Sequence, residues 1–145
     1  MDLHDVSIRE VGLDHLPIVE TLNHQIFGDR KVLMRMNRED LTLLLAFVDE
    51  DAVGYKVGYM GTEEVFYSAK GGILPPFRRH GIARMLLYEM MKRAREKGYQ
   101  RFVFDTFPNK HPGMTIMALQ EGFRVIQADL NRTYADFCIR FSKKL

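Results

Sequence analysis

The stretch Ile73–Leu86, I-L-P-P-F-R-R-H-G-I-A-R-M-L, holds the residues best suited to chemistry. An apolar strand end runs into two prolines, which cannot donate to a sheet ladder and so stop it. Arg78, Arg79, His80 and Gly81 then lead straight into a helical pattern. The first turn of a helix carries unpaired N–H groups and about half a positive charge, so it attracts anions. Gly81 and Ala83 leave room for a phosphate to approach the backbone, and Arg78, Arg79 and Arg84 surround it with charge. The pattern predicts a cradle for a pyrophosphate. It is neither a Walker loop nor the dinucleotide fingerprint, because G-x-x-x-x-G-K-[ST] and G-x-G-x-x-G are both absent. On spacing alone, a plain strand–turn–helix corner with solvated arginines stays open.

Such a cradle needs a strand before it and a helix after it, and the flanking sequence supplies both. Residues 5–11 alternate polar and apolar and read as a strand. Leu13–Phe27 has helical spacing at Leu16, Val19, Leu22 and Ile26, with Gly28 as its stop. A short helix or loop covers 30–40. Leu41–Asp49, Ala52–Met60 and Glu64–Leu74 read as an antiparallel meander. Gly71-Gly72 interrupts the third strand and signals a bulge or a close backbone approach. In the helix over Gly81–Lys97, the apolar residues Ile82, Leu86, Met90 and Ala94 fall four apart. A strand over Phe102–Phe107, a helix over Gly113–Glu121 and a hairpin of 123–130 with 133–142 complete the chain. The order is β-α-(α)-β-β-β-α-β-α-β-β, a mixed α+β class.

A chain of 145 residues fits one domain, residues 1–145. Its 46% hydrophobic and 28% charged residues are ordinary for a globular protein. The lone Cys138 excludes an intramolecular disulfide and suits a reducing compartment. No signal-like leader or membrane-length apolar run is visible, so a cytoplasmic protein with no membrane partner is expected. The five histidines show no metal-ligand spacing, so no metal is implied. A net charge of +2 does not argue for nucleic acid, although basic residues do cluster between Arg78 and Lys97.

R-R-H-G-I-A at 78–83, preceded by I-L-P-P-F, resembles the R/Q-x-x-G-x-G/A signature of the GNAT superfamily of acyl-CoA-dependent N-acyltransferases. The element order over most of the chain is similar to that family's. The resemblance implies a central, mostly antiparallel sheet of about seven strands with helices on both faces. It implies acetyl-CoA as cosubstrate and an amine on a small molecule or peptide as acceptor; pairing with a second copy is left open. The backbone at Ile73 and Leu74 would pair with the pantetheine arm. Arg78, Arg79, His80, Gly81, Ile82 and Ala83 would hold the pyrophosphate, Arg84 would add charge, and Asn109 would contact the cofactor. His24 and Phe27 would line the acceptor pocket.

One departure from the family concerns catalysis. The family's proton-donating tyrosine lies five residues before the Phe of Gly-Phe, and that position here is Ala118. Tyr67 is the favoured substitute, with Ser68, Tyr88 and Tyr134 also available. Glu64, Asp105 and His111 compete for the role of base, since an ammonium with a pKa of about 10.4 must lose a proton to attack. An N–H of Ile73 or Leu74 could hold the developing oxyanion. Two other functions compete: a non-catalytic acyl-CoA sensor of the same fold, favoured by Ala118, and a nucleic-acid binder using the basic cluster.

Overall fold

The computed structural model describes residues 5–33 and 38–145. Seven strands join one sheet: β1 (Val6–Val11), β2 (Thr42–Val48), β3 (Asp51–Met60), β4 (Val65–Ile73), β5 (Arg101–Thr106), β6 (Arg124–Asn131) and β7 (Asp136–Lys144). Their spatial order is β1-β2-β3-β4-β5-β7-β6. Every neighbouring pair is antiparallel except β4 and β5, which run parallel. Parallel neighbours require a crossover. Here it is α2 (Ile82–Glu96).

The sheet separates two apolar layers, as alternation along each strand dictates. On one face Leu44, Ala46, Val53, Phe66, Phe102, Phe104 and Phe141 pack against α2 and against α3 (Pro112–Gln120). On the other face Leu43, Leu45, Tyr55 and Val57 pack against Val19 and Leu22 of α1 (Leu16–Phe27). Buried Asn23 of α1 accepts the Tyr55 hydroxyl proton and donates to the carbonyls of Asp29 and Lys31, tying the segment after α1 to the sheet. Helices thus stand on both faces.

Two alternatives that the sequence left open are resolved. The described part of the 30–40 segment contains no helix, and residues 34–37 lie outside the described residues. The bulge in β4 is not at the glycine pair. Val57 pairs with Lys70 and Gly58 with Ser68, so Ala69 is the extra residue. The glycines serve close approach instead: a Cβ on Gly72 would sit 3.0 Å from Ile26 and 3.2 Å from Phe27. A bare backbone there lets the end of α1 rest directly on β4.

Candidate active site

The sequence after β4 folds into the expected strand–turn–helix corner. Pro75–Phe77 form a 3-10 turn, Arg78 is extended, and Arg79 and Gly81 both take positive φ (66° and 82°). Gly81 is the N-cap residue of α2 and has no side chain to satisfy the helix start. The first intrahelical bond near it runs from the Met85 N–H to the Gly81 carbonyl at 3.0 Å. The amides of Ile82, Ala83 and Arg84 are therefore free of helix partners. No acidic residue lies in that first turn, and nothing stands within 4 Å of where a Gly81 Cβ would be. A groove of about 350 Å³ lies alongside, lined by Ile73, Phe77, Arg79, Ala83 and Met117 among others.

The arginines divide their duties. Arg78 folds back and donates from Nε to the Ile73 carbonyl at 3.0 Å. Arg84 reaches Glu121 at 3.1 Å and Gln120 at 2.9 Å, so its charge is paired across to the end of α3. Farther along α2, Arg93 meets Glu89 and Glu10, and Lys97 meets Glu10. Arg84, Arg93 and Lys97 are thus paired along the helix, while Arg78, Arg79, Lys92 and Arg95 are exposed and enter no ion pair among the described residues.

The groove leads to a fork in the sheet. β4 and β5 pair from Val65↔Arg101 to Ser68↔Phe104 and no further, although β4 continues to Ile73. The Leu74 N–H donates to the Val53 carbonyl at 2.9 Å. Leu74 is therefore occupied by β3 and is not the free donor that the sequence suggested. Antiparallel ladders alternate, so Ile73 and Gly71 turn their peptide groups away from β3 and into the fork. Of the two amides, Ile73 is the one placed to meet a ligand.

On the α1 face of the fork stands a group that the sequence brought out only in part. The Tyr67 hydroxyl donates to Asp105 Oδ2 at 2.9 Å. Arg140 of β7 grips the same carboxylate with two bonds, Nε to Oδ1 at 2.8 Å and Nη2 to Oδ2 at 3.0 Å. Although burial opposes it, the hydrogen bonds from Arg140 and Tyr67 hold the Asp105 carboxyl below the usual range. Burial first, and the Asp105 charge second, push the Tyr67 phenol above its ordinary value. Tyr67 thus keeps its proton at neutral pH and has already committed it to Asp105. That arrangement weighs against Tyr67 as a proton donor to a leaving group, and against Asp105 as a strong base. It favours a hydroxyl whose lone pairs face outward to accept an N–H.

The remaining nominees are scattered. Glu64 is exposed at the closed end of the β4–β5 pair, about 15 Å along the strand from the fork. Phe27 borders β4 at Gly72, with the Lys70 ammonium 4.8 Å from its ring centre, whereas His24 is exposed one turn earlier on α1. Asn109 donates to Asp136 at 2.9 Å and is thereby held to the turn end of the last hairpin. His111 is the exposed N-cap residue of α3, and Tyr134 is exposed in the final turn. Tyr88 donates to Glu121 at the surface, and Ser68 is buried on the α2 face. Ala118 is fully buried in the core beneath α3. Arg140 was missed, since its alternation with Cys138 shows which face it shares but not which residue it meets.

Residues 13–122 match the model of the acetyltransferase (GNAT) family. The chain belongs to the GNAT acetyltransferase family. Solved structures agree on the fold. A GNAT family acetyltransferase from Elizabethkingia anophelis, solved with acetyl-CoA bound, is 20% identical with a TM-score of 0.82, covering 97% of this chain and 98% of that one. The ribosomal-protein-S18-alanine N-acetyltransferase of Escherichia coli is 12% identical with a TM-score of 0.83, covering 97% and 94%. The PaiA N-acetyltransferase of Thermoplasma acidophilum, in complex with coenzyme A, is 16% identical with a TM-score of 0.75, covering 98% and 100%. Comparison with curated protein sequences finds no match. Among the described residues, no group of three His, Cys, Asp or Glu side chains could hold a metal, and no helix is long and apolar enough to cross a membrane.

Proposed function

We propose that this GNAT acetyltransferase moves an acetyl group from acetyl-CoA to a primary amine, with residues 1–145 acting as one cytoplasmic domain. The observation that carries the reading is the uncapped start of α2 set beside the parted strands β4 and β5. The residues fit a CoA pyrophosphate: free amides at Ile82, Ala83 and Arg84, an unobstructed Gly81, and Arg79 and His80 exposed alongside. The pantetheine arm would take the place of the missing ladder at Ile73 and Gly71.

Bound acetyl-CoA supplies an acyl thioester whose sulfur, with a thiol pKa near 8.5, is a tolerable leaving group without a dedicated proton donor. That removes the need for a tyrosine at Ala118. The chain's own residues then serve the acceptor. Asp105, ionised and paired with Arg140, holds the Tyr67 hydroxyl in place at the fork. The Tyr67 hydroxyl accepts an N–H of the neutral amine, whose ammonium proton has gone to solvent, and aims its lone pair into the fork; the second proton, released as the amide forms, neutralises the departing thiolate. The Ile73 N–H supplies a hydrogen bond for the carbonyl oxygen. Phe27 and Lys70 border the approach from the α1 side. The acceptor is an amine on a small molecule or a peptide.

Ala118 favours a second reading, an acyl-CoA sensor that does not turn over. One experiment separates them. CoA should raise the melting temperature, and acetyl-CoA with a panel of amines should release free thiol. Ligand at 100 times its Kd stabilises by about 2.7 kcal/mol. A thermal shift with no thiol release across the panel would favour the sensor. No shift at millimolar CoA would sink the cofactor assignment.

A further inference from the structure

We infer that Arg140 is a positioning residue of the acetyl transfer: it clamps Asp105 so that Asp105 holds the Tyr67 hydroxyl in the orientation that receives the amine. The inference rests on the roles proposed above for Tyr67 and Asp105. Asp105 and Arg140 are direct cross-strand partners of β5 and β7, and Asp105 is the first residue of β5 beyond the last β4 pairing. Asp105 therefore stands at the fork with no backbone pairing partner on β4. The two-pronged guanidinium contact fixes both carboxylate oxygens, which one hydrogen bond could not do. Oδ2 is shared between Arg140 and Tyr67, so turning the carboxylate would break the tyrosine bond as well.

The surroundings make this clamp hard to replace. Asp105 is faced by Tyr67 from β4, with Tyr59 beyond it on β3, 5.6 Å from Tyr67 between ring centres. Arg140 and Cys138 approach from β7, and Asp129 from β6, around a hollow of about 160 Å³ that Gln127 and Asn131 also line. Cys138 carries no charge at neutral pH, because its burial and the nearby Asp105 raise its pKa. Asp129 adds negative charge. Without Arg140, Asp105 would be a half-buried carboxylate with the Tyr67 hydroxyl as its side-chain donor, and its protonated form would gain.

Arg140→Met tests the idea, with Arg140→Lys and Arg140→Gln beside it. Titration of the ligand-free protein, read from the Asp105 carboxyl carbon by NMR, should move up by at least about 1 pH unit in Arg140→Met. The acid limb of kcat should move with it. Turnover at pH 7 should fall about ten- to a hundredfold, because a misplaced group loses alignment. The CoA thermal shift should stay. Arg140→Lys should restore the titration but only part of the turnover, since an ammonium lacks the fork. If Arg140→Met fails to fold, Arg140→Gln carries the same measurements. An unmoved Asp105 titration overturns the inference, as does wild-type turnover in the variant while Tyr67→Phe and Asp105→Asn are slow. If those two variants also turn over normally, the roles of Tyr67 and Asp105 fall first and the inference falls with them.

Discussion

Lys56 offers the sharpest quantitative test of the packing. It lies on β3 with only 8% of its surface exposed, and it points to the α2 face, in a row with Leu44 of β2 and Gly71 of β4. Among the described residues no ion pair includes it. Burial alone brings its pKa from 10.5 down to about 8. At 1.36 kcal/mol per pH unit, that drop costs the folded protein about 3 kcal/mol at pH 7. The sign follows from proton counts. Between pH 8 and 10.5 the unfolded chain binds a proton that the folded chain lacks, so stability rises with pH there. Below pH 8 both states are protonated and the whole cost is present. Lys56→Met keeps an unbranched stem and removes the charge, so it should stabilise by up to about 3 kcal/mol. At about 3 °C per kcal/mol for a chain of this size, the melting temperature should rise by about 6–10 °C. The assay is thermal unfolding of both proteins from pH 7 to 10.5. The gain should shrink toward zero at the alkaline end. A variant no more stable at pH 7, or a gain that does not depend on pH, would refute the burial argument.

Gly81→Glu should abolish the CoA thermal shift: a carboxylate would enter the cradle, and the positive φ costs about 1–2 kcal/mol without a clash, so circular dichroism should show an intact fold. Gly72→Val should lower stability to urea by about 1–3 kcal/mol, because its side chain would push Ile26 and Phe27 off β4; an unchanged midpoint would mean that α1 does not depend on that approach. Tyr67→Phe should cut turnover by at least about tenfold with CoA affinity unchanged, since the ring stays and only the hydroxyl is lost; wild-type turnover would remove Tyr67 from the mechanism.

The parts of the site that were readable beforehand are those contiguous in the chain. The cradle at 78–84 is one loop and one helix turn, and local rules cover both. Its neighbours required distances that spacing does not supply. Tyr67, Asp105 and Arg140 meet through the parallel β4–β5 register and the antiparallel β5–β7 register, which join residues 35 or more positions apart. The alternation of Val103 and Asp105 puts both on one face of β5 and does not reveal the partner of Asp105. Leu74 looked as free as Ile73 because nothing in the sequence shows which peptide of β4 faces β3. The bulge went to Ala69, where no local signal marks it, while Gly71-Gly72 answered to the helix above them. A helix within 30–40 had little apolar periodicity behind it, and buried Asn23 instead organises the start of that segment.

The fork also has a mechanical side. Four paired positions and one helical crossover join the half of the sheet made by β1 to β4 to the half made by β5, β7 and β6. A pantetheine arm lodged between the parted strands would complete that seam, making the donor a temporary rung of the protein. Asp105 stands at the crotch of the fork on β5, so its spacing from Ile73 on β4 is set by how far the two halves stand apart. An acceptor that arrives first meets an unfinished floor; one that arrives second meets a braced one. If the arm braces that seam, the acceptor would meet its finished floor only after the donor has bound, and the loss of CoA would loosen the same seam.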